Sequence, residues 1–367
     1  MKALFCGGGT AGHITPSIAL AEEISKNDNN SVVFIGREGG GENTLITDAG
    51  YTLHTISVSG FKRSLSFSNI KTAARLLRAI SDSGKLIKTL KPSVVIGTGG
   101  YVCLPALLAA IRNKIPTIIH ESNTVPGLAT RLLAKKCTRL LLNAEDEYGL
   151  YKLKNARIYG NPVRSAFGAQ TKYQARKSLG IGNDKFFILS LGGSIGAQVI
   201  NEASISLMRE YSIKNAEIVH IHATGNRYYE KIAETEPVLA KGTKRCKIVP
   251  YIYDMPTYLS ACDIVITRCG AMTLSEIAAS AAIPILVPSP NVTADHQLKN
   301  AKRYSEAGGG ILIEEGDLTY MTLISFIEHI KQDKTLQNGI KSALRNLARP
   351  EAKSNILKEI ETVCIKK

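Results

Sequence analysis

Short runs rich in Val, Ile and Leu alternate with helix-length segments along the whole of this 367-residue chain. In the first half the runs fall at 3–6, 32–36, 52–58, 94–97, 117–120, 140–143 and 157–159, with helices expected near 16–26, 69–90, 104–113, 126–136 and 145–150. The second half repeats the plan, with strands at 186–191, 217–222, 247–249, 264–267, 285–287 and 311–313. Strands apolar throughout are covered on both faces, and strands joined through helices run parallel. The pattern predicts an α/β chain of two Rossmann-like, doubly wound parallel-sheet domains facing a cleft. Length agrees, since one hydrophobic core rarely serves so many residues. Gly and Pro at 160–164 mark the expected seam. The expected division is an N-terminal domain over 1–163, a C-terminal domain over 164–347, and a closing segment over 348–367, helical from about 351 to 363.

Three glycine-rich segments sit where a strand gives way to a helix. They are Gly7-Gly8-Gly9-Thr10-Ala11-Gly12-His13, Gly97-Thr98-Gly99-Gly100-Tyr101 and Gly192-Gly193-Ser194-Ile195-Gly196-Ala197. Glycine lets backbone approach a ligand closely, and a helix start offers unpaired N–H groups to anions. The first loop reads G-x-G-x-x-G, which raises a dinucleotide-binding reductase. That reading lacks the usual acid about 20 residues on, because the second strand ends in Gly36-Arg37, at best a hint of NADP. It also leaves the other two loops unexplained.

Net charge is +15, and most of it lies in the first half. Between residues 61 and 139 stand fourteen Lys or Arg against two acids, Asp82 and Glu121. Such a face attracts polyanions, either nucleic acid or an anionic membrane. Phe67, Ile70, Ala73, Ala74, Leu77 and Ile80 recur at helical spacing among Lys71, Arg75, Arg78 and Lys85. This is a basic amphipathic helix, suited to a lipid interface or to packing on the sheet. No apolar run reaches the length of a membrane span, and the start has no signal-peptide core, so a soluble, cytoplasmic chain is expected. Seven scattered cysteines without C-x-x-C spacing read as buried thiols rather than disulfides or a zinc site.

In open parallel sheets ligands gather at the carboxyl ends of strands, and each polar cluster here falls at such an end. His13 opens a helix, as a base working near neutral pH or as a plain helix-start residue. His120-Glu121-Ser122-Asn123 follows the fifth run, and Asp295-His296-Gln297 with Asn300 follows Pro288-Ser289-Pro290. Glu276 in Arg268-Cys269-Gly270-Ala271-Met272-Thr273-Leu274-Ser275-Glu276 is either a capping-box acid with Thr273 or a carboxylate that clasps two sugar hydroxyls.

Taken in order, Gly7 to His13, Gly99-Gly100-Tyr101-Val102, His120-Glu121 with Asn123, Gly160-Asn161-Pro162-Val163-Arg164, Gly192-Gly193-Ser194 with Gly196-Ala197, Arg268 with Gly270-Ala271 and Ser275-Glu276, and Asp295-His296-Gln297 resemble the MurG family. Its members are UDP-N-acetylglucosamine transferases of bacterial cell-wall synthesis that convert lipid I to lipid II. The resemblance spans nearly the whole chain. It implies an inverting, metal-independent GT-B glycosyltransferase without cofactor, acting in peptidoglycan synthesis, cell-wall biogenesis, cell shape and division. It places the protein peripherally on the cytoplasmic face of the cell membrane. The implied partners are UDP-GlcNAc, lipid I (undecaprenyl-diphospho-MurNAc-pentapeptide) and an anionic membrane surface, with no nucleic acid. A lipid glycosyltransferase using UDP-galactose or UDP-glucose is the nearest rival.

By the same likeness the C-terminal half binds the donor. Ser194 meets the diphosphate, Arg164 the nucleotide, Ile252 the uracil through its backbone, and Glu276 the ribose hydroxyls. Ala271, Met272, Thr273, Leu274 and Ser275 line that groove and Gln297 reaches the GlcNAc hydroxyls, while Thr10, Ala11, Gly12 and Asn123 complete the sugar pocket. Gly8, Gly9, Gly99, Gly100 and Tyr101 are assigned to the acceptor diphosphate. His13 is the first choice for general base and Glu121 the second. Hinged closure about Val163 and Arg164 is expected. The chain departs from the family pattern at Ala11, Ser122, Ile195 and Cys269, and it has no tryptophan, so Phe61, Phe67 and leucines would have to anchor it at lipid.

Overall fold

The structure, a computed structural model, describes residues 1–58 and 68–365. They form two compact units, one over Met1–Arg164 and Arg349–Lys367, the other over Ser165–Ala348. The seam thus falls one residue beyond the expected position, and Arg164 is the last residue of the first unit before the crossing.

In the first unit seven parallel strands, β1 (Lys2–Cys6), β2 (Ser31–Arg37), β3 (Thr52–Ile56), β4 (Val94–Gly97), β5 (Thr117–Glu121), β6 (Arg139–Leu142) and β7 (Ala156–Ile158), lie in the order β3-β2-β1-β4-β5-β6-β7. The second unit repeats this with β8 (Phe186–Leu191), β9 (Ile218–Ala223), β10 (Cys246–Val249), β11 (Ile264–Thr267), β12 (Ile283–Leu286) and β13 (Ile311–Leu312), ordered β10-β9-β8-β11-β12-β13. Both are the doubly wound arrangement, in which the chain starts at the centre, works to one edge, and returns to build the other.

The apolar runs become two-sided cores through the period of two along a strand. Ala3 and Phe5 of β1 face a cluster with Phe34, Ile96, Ile118 and Leu141, covered by the helices Ala11–Ile24 and Ala352–Ile365. Leu4 and Cys6 point the other way, to Ile35, Val95, Ile119 and Leu142 under the helix Cys103–Arg112. The last helix contributes Ile356, Ile360 and Val363, all buried, so its docking removes three large apolar side chains from water. At about 1.5–3 kcal/mol each, that burial outweighs its polar ties. Those ties are Arg139 to Glu359 at 2.9 Å, Tyr159 Oη to Glu359 at 3.0 Å, and Lys353 to Glu23 at 2.7 Å.

Two expectations are corrected. No α-helix forms at 145–150. Instead the Asp146 carboxylate accepts from the amides of Tyr148, Leu150 and Tyr151, at 2.9, 3.1 and 3.0 Å, and only a 3₁₀ turn, Leu150–Lys152, follows. A side-chain acceptor captured the N–H groups that a helix would have used.

The basic helix is present as Ser68–Leu90, but its apolar stripe is divided. Ala79, Ile80, Ser83 and Ile87 pack inward, whereas Leu77 is 67% exposed beside Arg75 and Arg78. The spacing that joined Leu77 to Ile80 merged two faces of one helix. Phe61 and Phe67 lie outside the described residues, as do the side chains of Ile70, Lys71 and Ala73.

Candidate active site

In each sheet the chain reverses its winding between the first strand and the fourth, and the loops leaving those two strands diverge to opposite faces. The crevice this opens at the carboxyl ends is where such sheets take ligands. In the first unit it lies between β1 and β4, and the glycine loops at 7–13 and 97–101 line it. In the second it lies between β8 and β11, lined by 192–197 and 268–270.

The two loops of the first unit are interlaced. Gly8 N–H donates to Gly99 O at 3.3 Å, and Thr98 N–H donates to Cys6 O at 3.0 Å. The Thr98 hydroxyl donates to His13 O at 2.7 Å, an anchor with no signal in the sequence beyond a lone polar residue inside a glycine run. Gly100 has φ 85°, and a Cβ there would lie 1.8 Å from Gly8 O, so only glycine allows the loops this close. Thr10 precedes the helix Ala11–Ile24 without a side-chain capping bond, which leaves the first-turn amides without that acceptor. Thr10 and Gly12 are exposed, Gly8 is buried, and Tyr101 stands half out in solvent. The side chain of Ala11 is outside the described residues.

His13 packs its ring against Gly99 and places Nδ1 2.9 Å from Gly8 O. A carbonyl only accepts, so Nδ1 carries the hydrogen. In the neutral ring Nε2 then holds the lone pair. That is the tautomer a general base needs.

Glu121 is placed differently from a free base. It is 6% exposed, and both oxygens are occupied. Oε1 accepts from Asn123 N at 3.1 Å and from Asn123 Nδ2 at 3.3 Å, while Oε2 accepts from Gly127 N at 2.9 Å and from Thr130 Oγ1 at 2.7 Å. These bonds shape the loop at 122–130 and hold Asn123. Neighbouring His120 is buried with Nε2 3.2 Å from Gly160 O, and burial lowers its pKa below the usual histidine value. It is a neutral brace between β5 and the segment before the seam.

In the second unit Gly196, at φ 88°, presses on Thr224: a Cβ there would lie 2.1 Å from Thr224 O. The turn closes with Gly196 N–H on Gly193 O at 3.1 Å and delivers the chain to the helix Gln198–Leu207. That helix has no side-chain cap, and Ser194 stands exposed in front of it. The helix Ala271–Ser280 also starts uncapped, at Gly270. Its true N-cap corrects the capping-box reading. Thr273 is the third residue of the helix and Glu276 the sixth, too far in to form the box.

Ala271, Met272 and Leu274 bury their side chains, so any ligand contact from them runs through backbone. Thr273, Ser275 and Glu276 are partly exposed, although the Ser275 hydroxyl is turned back onto Ala271 O at 3.0 Å. Ile252 is buried beside Tyr253, which is exposed. Gln297 fixes two loops at once, its Oε1 accepting from Cys269 N at 3.4 Å and Ser289 N at 3.0 Å. Among the described residues none is hydrogen-bonded to the NH₂ end of the same amide. Just before it, Ala294 and Asp295 hold left-handed φ angles of 54° and 49°, strain that clusters at functional loops. Arg268 is held by Glu315 and by Val287 O, so it braces its loop.

Among the described residues no helix is long and apolar enough to cross a membrane, and no three His, Cys, Asp or Glu side chains are grouped to hold a metal ion. All seven cysteines are free thiols, six of them buried.

Residues 3–142 match the glycosyltransferase family 28 N-terminal domain, and residues 187–356 match the glycosyltransferase family 28 C-terminal domain. A protein of Caldanaerobacter subterraneus named UDP-N-acetylglucosamine–N-acetylmuramyl-(pentapeptide) pyrophosphoryl-undecaprenol N-acetylglucosamine transferase is 39% identical over 99% of this chain and 100% of its own. A Bacillus cereus protein of the same name, numbered 1, is also 39% identical, over the full length of both chains. Among solved structures, Acinetobacter baumannii MurG superposes with TM-score 0.75 at 24% identity, covering 98% of this chain and 99% of that one. The UDP-GlcNAc 2-epimerase of Neisseria meningitidis, bound to UDP-GlcNAc, shares the fold at TM-score 0.66 and 15% identity, over 99% of this chain and all of that one. With both halves matched and full-length identity to its relatives, the chain belongs to glycosyltransferase family 28.

Proposed function

We propose that this protein transfers GlcNAc from UDP-GlcNAc to the 4-hydroxyl of MurNAc in lipid I, giving lipid II and UDP in peptidoglycan synthesis. The relatives named for this reaction support the substrates. The observation that carries the chemistry is the pair of uncapped, glycine-led helix starts, one set at each sheet's switch point, with His13 locked in a base-competent tautomer.

The donor sits on the second unit. Its diphosphate lies against the amides of the 192–197 loop, with Ser194 in front of the helix Gln198–Leu207. Glu276, relieved of any capping role, accepts the ribose hydroxyls, and the backbone of Ile252 meets the uracil. The first-turn backbone of Ala271, Met272 and Thr273, with Leu274 behind it and Ser275 beside it, lines the nucleotide groove, and Arg164 is assigned to the nucleotide. The open amide end of Gln297 donates to GlcNAc hydroxyls. Thr10, Ala11, Gly12 and Asn123 of the first unit are assigned to the sugar.

The acceptor diphosphate sits at Gly8, Gly9, Gly99, Gly100 and Tyr101. The 4-hydroxyl gives its proton to His13 Nε2 as its oxygen attacks the anomeric carbon from the side opposite UDP, so configuration inverts to β(1→4). Charge develops on departing UDP, and preorganised amides stabilise it there without a metal ion. Glu121 is retained as the residue that shapes the Asn123 loop, second to His13 as a base because its lone pairs are already occupied.

The lipid-linked acceptor requires a membrane-facing surface. Exposed Leu77, on the same helix as the exposed Arg75 and Arg78, suits a peripheral contact with anionic lipid on the cytoplasmic face. Turnover measured with UDP-GlcNAc, UDP-GalNAc and UDP-glucose on a lipid I analogue, with and without EDTA, tests the assignment. Preference for UDP-GlcNAc and indifference to EDTA are expected, and activity that chelation abolishes would overturn the metal-free mechanism.

A further inference from the structure

Beneath the donor loop runs a chain of hydrogen bonds made only of buried side chains. Ser212 Oγ lies 2.9 Å from His220 Nδ1, and His220 Nε2 lies 2.8 Å from Ser190 Oγ. Ser190 Oγ lies 2.8 Å from His222 Nδ1, and His222 Nε2 lies 3.1 Å from Asn201 Oδ1. Asn201 Nδ2 lies 3.0 Å from Thr224 O. All five side chains and Thr224 are buried.

Two backbone carbonyls also meet the chain: His222 Nδ1 lies 3.1 Å from Ser190 O, and Ser212 Oγ donates to Leu207 O at 3.5 Å. Thr224 O accepts, so the Asn201 NH₂ faces it and the amide oxygen faces His222 Nε2. His222 thus stands between acceptors at both nitrogens, and the direction of the hydrogens along the chain follows its tautomer. Every link joins buried groups, and bonds in such chains strengthen one another.

The chain ends where the donor loop begins. Thr224 O is the atom that Gly196 presses against, and Ser190 belongs to the strand that leads into that loop. Asn201 sits one turn inside the helix Gln198–Leu207, with its amide on Ala197 O at 2.9 Å. We propose that Ser190, His222 and Asn201 are positioning residues for donor binding: the buried chain fixes the glycine loop and the following helix start in the conformation that receives the diphosphate. The inference rests on the reading of that loop as the UDP site. Five buried polar side chains in an apolar sheet need a reason beyond packing, since apolar replacements would fill the same space.

The test uses the full-length protein. Ser190→Ala and Asn201→Ala should each raise the KM for UDP-GlcNAc and the Kd for UDP about tenfold, with the KM for the lipid I analogue unchanged. Together they should cost little more than either alone, because each breaks the same chain. Unaltered UDP affinity in folded variants, or full additivity, would overturn the proposal. Should either variant fail to fold, ¹⁵N spectra of histidine-labelled wild-type protein decide. The signals of both rings should move when UDP is added, although neither touches ligand. Signals blind to bound UDP refute it. Wild-type protein that binds no UDP sinks the loop assignment instead.

Discussion

Replacing Glu121 with Gln separates a structural carboxylate from a catalytic one. The substitution keeps shape and removes charge, and it puts an NH₂ where one carboxylate oxygen was. Whichever way the amide turns, that NH₂ meets one backbone donor, Asn123 N or Gly127 N, which cannot become an acceptor. Thr130 Oγ1 can rotate and the Asn123 side chain can turn, so two of the four contacts adapt. One buried N–H left unpaired costs about 1–3 kcal/mol, and loss of charge assistance in the remaining bonds adds about 1 kcal/mol. The sum is about 2–4 kcal/mol against the first unit. Urea unfolding monitored in that unit should show this loss, and turnover of the folded fraction should stay within about tenfold of wild type. A general base is worth about 10²–10⁴ in rate. A fall of that size with stability intact would show that Glu121, not His13, takes the proton.

His13→Ala should lower kcat by about 10²–10⁴ while the Kd for UDP-GlcNAc, measured by calorimetry, holds, and unchanged turnover removes His13 as base. Glu276→Ala should raise that Kd by about 10–100-fold with a smaller effect on kcat, as expected when a hydrogen-bonded charge is lost from a binding groove; an unaltered Kd contradicts the ribose contact. Burial lowers the pKa of His222 to about 4, so the folded state binds fewer protons than the unfolded one between pH 4 and the ordinary histidine value near 6.5. Stability conferred by the neutral ring is therefore full above about pH 6.5 and is lost progressively down to about pH 4, by about 3 kcal/mol. The urea midpoint of the second unit should follow that window, and His222→Gln should make it shallower, the remainder coming from His220, whose pKa burial also lowers. Reversing charge at Arg75 and Arg78 should weaken binding to anionic vesicles by at least about tenfold and spare turnover of a soluble acceptor analogue; equal loss of both would refute a lipid-facing role.

The strands were legible in the sequence because a strand covered on both faces needs an unbroken apolar run, and Ala3 to Cys6 or Phe186 to Leu191 can be little else. The glycine loops were equally legible, since close backbone approach excludes every side chain. Family membership followed from the ordered spacing of those loops with His13, Glu276 and Gln297. What sequence could not convey was commitment. Glu121 and His13 read alike as titratable groups at strand ends, yet one has its oxygens filled by Asn123, Gly127 and Thr130 while the other keeps a nitrogen open. The capping role of Glu276 fell only when Gly270 proved to be the helix start, and Leu77 left the core only when the helix took its rotation on the sheet. The chain from Ser212 to Thr224 joins residues from two strands and two helical segments, with no periodicity to betray it. Hydrophobic pattern and backbone sterics are local and leave their mark in the order of residues. Hydrogen-bond partnership is decided by which distant atoms the fold brings within 3 Å, and only the tertiary structure supplies that.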